Sequence, residues 1–263
     1  MILVAGGDSF IFGTELLDQQ SGIHSKQTYP AILARQAEMH YECVAKPGAS
    51  NAEIARRVIN YCETHTDIGK FILVQWTFAN RYEFNFSESG WQSVNVWNLQ
   101  DASQIKTQLK NFSQKVVDDQ IKTNTQLQSD GNYDFLKAFY KTVAASEYWE
   151  TYTSLKEIVM LQNYLKLNNI QYLFTFADNA SIYNSTIDKQ DVSINSLYQQ
   201  IDFDKFFVFL GDLQEDGKKE KGFYQWAMEN KYPVGATHPL EEAHIAAALL
   251  IKDKFNEMAK EHI

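Results

Sequence analysis

The chain has 263 residues, 44 % of them hydrophobic, and a formal net charge of -9 at pH 7. This length and apolar content support one large α/β domain or a domain carrying an insertion, and they exclude wholesale disorder. The acidic balance argues against nucleic-acid binding, because no basic stripe offsets it, and no apolar run approaches a membrane span.

Met1 leads straight into an apolar run, with no basic leader or small-residue cleavage site, so a cytoplasmic site of synthesis is expected. Cys43 and Cys62 are the only cysteines, too few for a disulfide framework and wrongly spaced for zinc. His24, His40, His65 and His262 show no ligand spacing, and the Gly6-Gly7 pair lacks the rest of a dinucleotide or phosphate-loop fingerprint. Neither a metal nor a cofactor is expected.

In chain order, residues 2–5 read as a first strand that ends in Gly6-Gly7-Asp8-Ser9. Residues 30–38 read as a helix with Pro30 in its first turn, where a missing N–H does no harm. Residues 41–45 read as the second strand. The segment Lys46-Pro47-Gly48-Ala49-Ser50-Asn51 opens a helix with Ile54, Ala55, Val58 and Cys62 on one face, and Ser50 with Glu53 forms a capping-box pattern at its start. Residues 71–76 fit a buried third strand. A helix over 155–167 feeds a fourth strand at 171–177, residues 205–210 read as a fifth strand, and 239–258 as a closing helix. Strands alternating with helices predict a doubly wound parallel sheet of five strands in a three-layer α/β/α sandwich.

Residues 84–152 break this rhythm. They are rich in Gln, Asn, Ser and Thr, read as helical around 102–128 and 133–145, and carry Trp91, Trp97, Tyr140, Tyr148 and Trp149. A helical insertion between strands three and four is expected, acting as a lid or substrate platform or simply packed on the sheet. The polar stretch 178–202 carries no readable motif, and the charged run 218–221 reads as a solvated turn.

Open α/β sheets place their chemistry at the carboxyl ends of strands, which is where Ser9 falls. Near the other end of the chain, His238 stands at a second loop-to-helix junction, followed by Pro239. A serine hydroxyl needs a base to take its proton, histidine is the usual base near neutral pH, and the tetrahedral intermediate needs donors at its oxyanion. The pair therefore predicts a serine esterase with Ser9 as nucleophile and His238 as base. Backbone N–H groups near Ser9 and Gly48 are the expected oxyanion donors, since Gly48 has no side chain to obstruct a carbonyl. The ends of strands one, two and three share a sheet edge, so Ser9, Gly48 and residues 76–80 are expected to converge.

These segments resemble the blocks of the SGNH (GDSL-type) hydrolase superfamily. Gly7-Asp8-Ser9-Phe10, continued by Gly13-Thr14-Glu15-Leu16, is similar to the first block, which bears the nucleophile. Pro47-Gly48-Ala49-Ser50-Asn51 is similar to the second, whose glycine donates to the oxyanion, and His238-Pro239 to the fifth, which supplies the base. The resemblance implies a flavodoxin-like single domain over residues 1–263, with 84–152 not covered. It also implies hydrolysis of a small-molecule or carbohydrate ester, namely an O-acyl group on a carbohydrate or other small polar alcohol. The longer pattern, with Trp76-Thr77, Arg81-x-Glu83 and His238-Pro239…His244, is similar to poorly characterised branches from bacteriophages and bacteria. The rival reading is therefore a non-catalytic, virion-associated glycan binder, and a thioesterase or lysophospholipase is a lesser alternative.

Two departures from the family pattern stand out. The third block normally ends its strand in Gly-x-Asn-Asp, whose asparagine holds the oxyanion; here Asn80 falls later than that spacing, and Thr77 is a rival. The fifth block normally carries an aspartate three residues before the histidine, and that position is Gly235. Asp178, at the end of the fourth strand, and Glu241 or Glu242, on the closing helix, are the substitute acids considered. Asn51 caps locally or, with Thr77, faces the substrate. Asp8 is expected to cap, Arg81 to pair with Glu83, and His244 to pack within its helix or exchange roles with His238.

Overall fold

The structure is a computed structural model that describes residues 1–87, 90–110, 114–129, 132–144, 146–179, 191–210 and 220–260. His262, residues 180–190 of the polar stretch, Lys218 and Lys219 of the charged run, and residue 145 of the expected helix lie outside the described residues.

In chain order the central layer is built from Ile2–Gly6 (β1), His40–Cys43 (β2), Lys70–Trp76 (β3) and, after a hairpin of Tyr82–Phe86 (β4) and Gly90–Val94 (β5), Gln171–Phe176 (β6). Among the described residues β2, β1, β3 and β6 form a four-stranded parallel sheet in that order. The chain leaves β1 toward one edge and returns to β3 on the other side. The loop after β1 therefore lies at the switch point of the sheet, where α/β folds open a crevice.

β1, β3 and β6 are largely apolar on both sides because both faces are covered, whereas the edge strand β2 is more polar and more exposed. One face packs Leu3, Ala5, Phe71, Leu73 and Leu173 against Tyr29–Gln36 (α2), Phe223–Glu229 (α9) and Glu241–Lys260 (α10). The other packs Val4, Ile72, Val74, Tyr172 and Phe174 against Asn51–Thr64 (α3), Glu147–Leu167 (α7) and Val192–Tyr198 (α8). The result is a three-layer α/β/α sandwich. Ser50 starts α3 as read from sequence, its Oγ accepting from the Glu53 N–H at 3.2 Å.

The fifth strand is a correction. Residues 203–205 form a 3-10 turn, Phe206 makes a single parallel bridge to Phe174, and Phe209–Leu210 (β7) then pairs antiparallel with Glu220–Lys221 (β8). Phe206 is buried in one core and Phe209 in the other, so the segment straddles the sheet edge. The turn spends the residues that a longer ladder would need.

The insertion is not purely helical. Tyr82, Phe84 and Phe86 alternate on β4, and this hairpin precedes Ala102–Gln108 (α4), Gln114–Ser129 (α5) and Asn132–Thr142 (α6). Its small core joins Tyr82, Phe86 and Val94 to Leu127, Leu136 and Ala144. Ser93 ties the hairpin to the start of α3, accepting from the Ser50 N–H at 3.0 Å and donating to Glu53 Oε2 at 2.7 Å. α7 begins at Glu147, inside the segment read as insertion, because Ser146 caps it there. Among the described residues no helix is long and apolar enough to cross a membrane.

Candidate active site

The turn out of β1 is dictated by its glycines. A Cβ on Gly6 would stand 2.6 Å from Val58 Cγ2, and one on Gly7 2.5 Å from Ile11 Cγ1. Only hydrogen at both positions lets the chain fold at once into the short helix Ser9–Phe12 (α1). Asp8 caps that helix, its Oδ1 accepting from the Phe10 N–H at 3.1 Å. Its other oxygen accepts from Thr77 Oγ1 at 2.6 Å and from Arg81 Nη1 at 3.1 Å. Asp8 is fully buried, so the ion pair with Arg81 compensates a charge that water cannot reach. The first and third strand ends are thereby locked around Ser9.

His238 arrives from the loop before α10. Its Nε2 lies 2.8 Å from Ser9 Oγ, and its Nδ1 lies 2.9 Å from Glu15 Oε1. With Nδ1–H donating to the carboxylate, Nε2 carries the lone pair and accepts the Ser9 O–H. Glu15 is held in turn by the backbone N–H groups of Thr237 at 3.2 Å and His238 at 3.4 Å, and by the Thr237 hydroxyl at 3.2 Å. Partial burial alone would raise the Glu15 pKa. The hydrogen bond and charge of His238, with those two N–H donors, outweigh it and bring the value to about 2.

The carboxylate against His238 is thus Glu15's, not that of Asp178, Glu241 or Glu242. Glu241 Oε1 instead accepts the Leu17 N–H at 2.7 Å, bracing the loop that carries Glu15. Glu242 is exposed on the first turn of α10, and Asp178 lies just past β6 with its backbone against Gly222. Asn51 and Thr77 are committed inward. Asn51 Oδ1 accepts the Thr77 N–H at 2.8 Å, and its amide donates to Ser154 Oγ at 3.1 Å. Arg81 and Glu83 do not pair: Arg81 serves Asp8, and Glu83 takes the Arg56 Nε–H at 3.1 Å. His244 is buried and its Nδ1 accepts the Tyr29 N–H at 3.3 Å, so it is committed to the core.

Gly48 sits at a left-handed turn, φ 78°, with open space where a side chain would be. Among the described residues no protein acceptor takes the backbone N–H of Ser9 or Gly48, or the side-chain amide of Asn80. Ser9, Asn80 and His238 line a cleft of about 500 Å³, together with Phe10, Phe78, Arg81, Tyr224 and Thr237; Gly48 is not among its lining residues. The insertion supplies the remaining wall: Asn95, Val96, Trp97, Leu109 and Gln120. Trp97 is fixed there by its backbone, whose N–H donates to Asn95 Oδ1 and whose carbonyl accepts from Asn124 Nδ2, both at 2.8 Å. Trp91 lies elsewhere, beneath the Arg56 guanidinium, and Trp149 packs in the insertion's own core.

No family model and no curated protein matches the chain. Solved structures that match the chain include the psychrotrophic esterase EstA from Pseudoalteromonas sp., at 10 % identity and a TM-score of 0.41, covering 99 % of this chain and 97 % of that one. A second is the acetyl xylan esterase Est2A from Butyrivibrio proteoclasticus, at 12 % identity and a TM-score of 0.44; the match covers 97 % of this chain but 63 % of that one. A third is described as a lipolytic protein of the G-D-S-L family from Desulfitobacterium hafniense, at 14 % identity and a TM-score of 0.29, covering 96 % and 98 %.

Proposed function

We propose that this protein is a serine hydrolase that cleaves a carboxylic ester, its substrate an O-acyl group on a carbohydrate or other small polar alcohol. The observation that carries this reading is the continuous chain from Ser9 Oγ through the His238 imidazole to a carboxylate, with links of 2.8 Å and 2.9 Å. Such a chain has a chemical use. As Ser9 Oγ bonds to the ester carbonyl carbon, its proton passes to His238 Nε2, and the carboxylate on Nδ1 stabilises the imidazolium. The same proton then goes to the departing alcohol oxygen, leaving an acyl-serine. Water attacks the acyl group, again giving its proton to Nε2, and the acid and free Ser9 are released.

The Ser9 N–H and the Asn80 amide, on residues that line the cleft and free of protein acceptors among the described residues, are the donors assigned to the oxyanion; the Gly48 N–H is equally free but lies outside the cleft's lining and is not assigned. Phe10, Phe78 and Tyr224 give the cleft an aromatic wall. Trp97, 42 % exposed on the insertion's part of the cleft lining, offers a ring face on which a sugar can stack.

The test is hydrolysis of p-nitrophenyl acetate by the wild type, Ser9→Ala and His238→Ala, with folding checked by circular dichroism. Loss of either group from such a chain lowers turnover by roughly 10⁴-fold or more. Equal rates in all three folded proteins would return the cleft to a binding role.

A further inference from the structure

Gly235 occupies the position where the resemblance would place an aspartate, and glycine is not there for its backbone freedom. Its φ lies outside the left-handed region, so any L residue could adopt the local conformation. Space decides instead. A Cβ on Gly235 would stand 2.2 Å from Glu15 Oε2 and 3.2 Å from the Glu15 carboxyl carbon. The carboxylate of Glu15 fills the room that a side chain at 235 would take.

Glu15 shows the complementary oddity. Its φ is 75°, a left-handed conformation that glutamate rarely adopts. The loop around it enforces that turn: the Gly13 and Thr14 N–H groups both donate to the Ser9 carbonyl, at 3.0 Å and 2.9 Å, and Glu241 takes the Leu17 N–H. A strained residue held by several contacts, its carboxylate aimed at His238, is the pattern of a position kept for geometry.

We infer that Glu15 is the positioning acid of this site and that Gly235 is the seat cleared for it. The inference rests on the reading of Ser9 and His238 as nucleophile and base. The acid arrives on the nucleophile's own loop rather than on the histidine's, so one short segment fixes both ends of the chain that runs through His238. Glu15 also staples the two loops through the Thr237 and His238 N–H groups. The test must separate the charge from the staple.

Glu15→Gln keeps an acceptor for those N–H groups and removes the charge. Its kcat for p-nitrophenyl acetate should fall by roughly 10²- to 10⁴-fold, with KM within about twofold of wild type and the protein still folded by circular dichroism at the assay temperature. Gly235→Ala should show a loss of similar size, because its methyl displaces the carboxylate. Glu15→Ala combined with Gly235→Asp should recover at least about tenfold over Glu15→Ala alone, since a carboxylate returns to the same space. Glu15→Gln and Gly235→Ala both within about threefold of wild type would overturn the inference, leaving Glu15 a staple. Failure of the rescue by Gly235→Asp would overturn the exchange of seats.

The proton NMR signal of His238 Nδ1–H supplies a readout independent of turnover. A strongly downfield signal in wild type that is lost in Glu15→Gln and Gly235→Ala supports the inference; a signal unchanged by both overturns it. Should the wild type neither hydrolyse esters nor react at Ser9 with a fluorophosphonate, the hydrolase reading fails, and the NMR signal still decides the Glu15 assignment.

Discussion

His244 loads the fold with an acid-sensitive group. It lies on the inner face of α10, 1 % exposed, with ring centres 4.8 Å from Phe223 and 6.0 Å from Tyr29. Burial first, and the nearby His238 second, lower its pKa from 6.5 to about 3. A proton on Nδ1 would also remove the acceptor of the Tyr29 N–H. The unfolded chain takes up this proton near pH 6.5 and the folded chain only near 3. Stability tied to neutral His244 is therefore complete above pH 6.5 and drains away as pH falls toward 3. At about pH 5 the loss is ~2 kcal/mol, from ~1.4 kcal/mol per pH unit over ~1.5 units. His244→Phe keeps the ring contacts and removes the titration, at a pH-independent cost of about 1–3 kcal/mol for the orphaned Tyr29 N–H. Urea unfolding of both proteins at about pH 7.5 and about pH 5 isolates the term, because the other titrating groups are common to both. The wild type should lose ~2 kcal/mol more than the variant on acidification. Equal losses would refute the reasoning.

Arg81→Gln should destabilise the protein by about 3 kcal/mol or more, since it leaves the fully buried Asp8 without its cation; a loss under about 1 kcal/mol in urea unfolding would contradict this. Trp97→Ala should raise KM for acylated sugars roughly tenfold while leaving p-nitrophenyl acetate turnover within about threefold. Equal effects on both substrates would remove Trp97 from substrate contact. Glu15, with a folded pKa of about 2 against 4.5, contributes stability that is present above pH 4.5 and lost as pH falls through 2. The stability gap between wild type and Glu15→Gln should accordingly close over that window, and a gap independent of pH would contradict the assignment of its charge.

The parallel sheet was legible because β1, β3 and β6 are short apolar runs separated by helical periods, and the glycines of the first turn announced a sharp exit from β1. The hairpin was hidden by the polar composition around it, although Tyr82, Phe84 and Phe86 alternate as a half-buried strand does. Residues 205–210 read as a full strand because phenylalanine density does not reveal where pairing stops; the bridge at Phe206 ends after one step. Glu15 was the least legible. Its partner lies 223 residues away, and a glutamate in a left-handed turn has no sequence signature. The one trace it leaves is negative: a glycine at 235 whose backbone does not need to be glycine.

The central claim, that His238 activates Ser9 as a nucleophile, is tested most directly by fluorophosphonate labelling of the intact protein, followed by mass mapping of the adduct. A single adduct on Ser9, absent in Ser9→Ala and formed at least about 10²-fold more slowly in His238→Ala, is the expected result. An unlabelled Ser9 in folded protein, or labelling at the same rate without His238, would contradict the account.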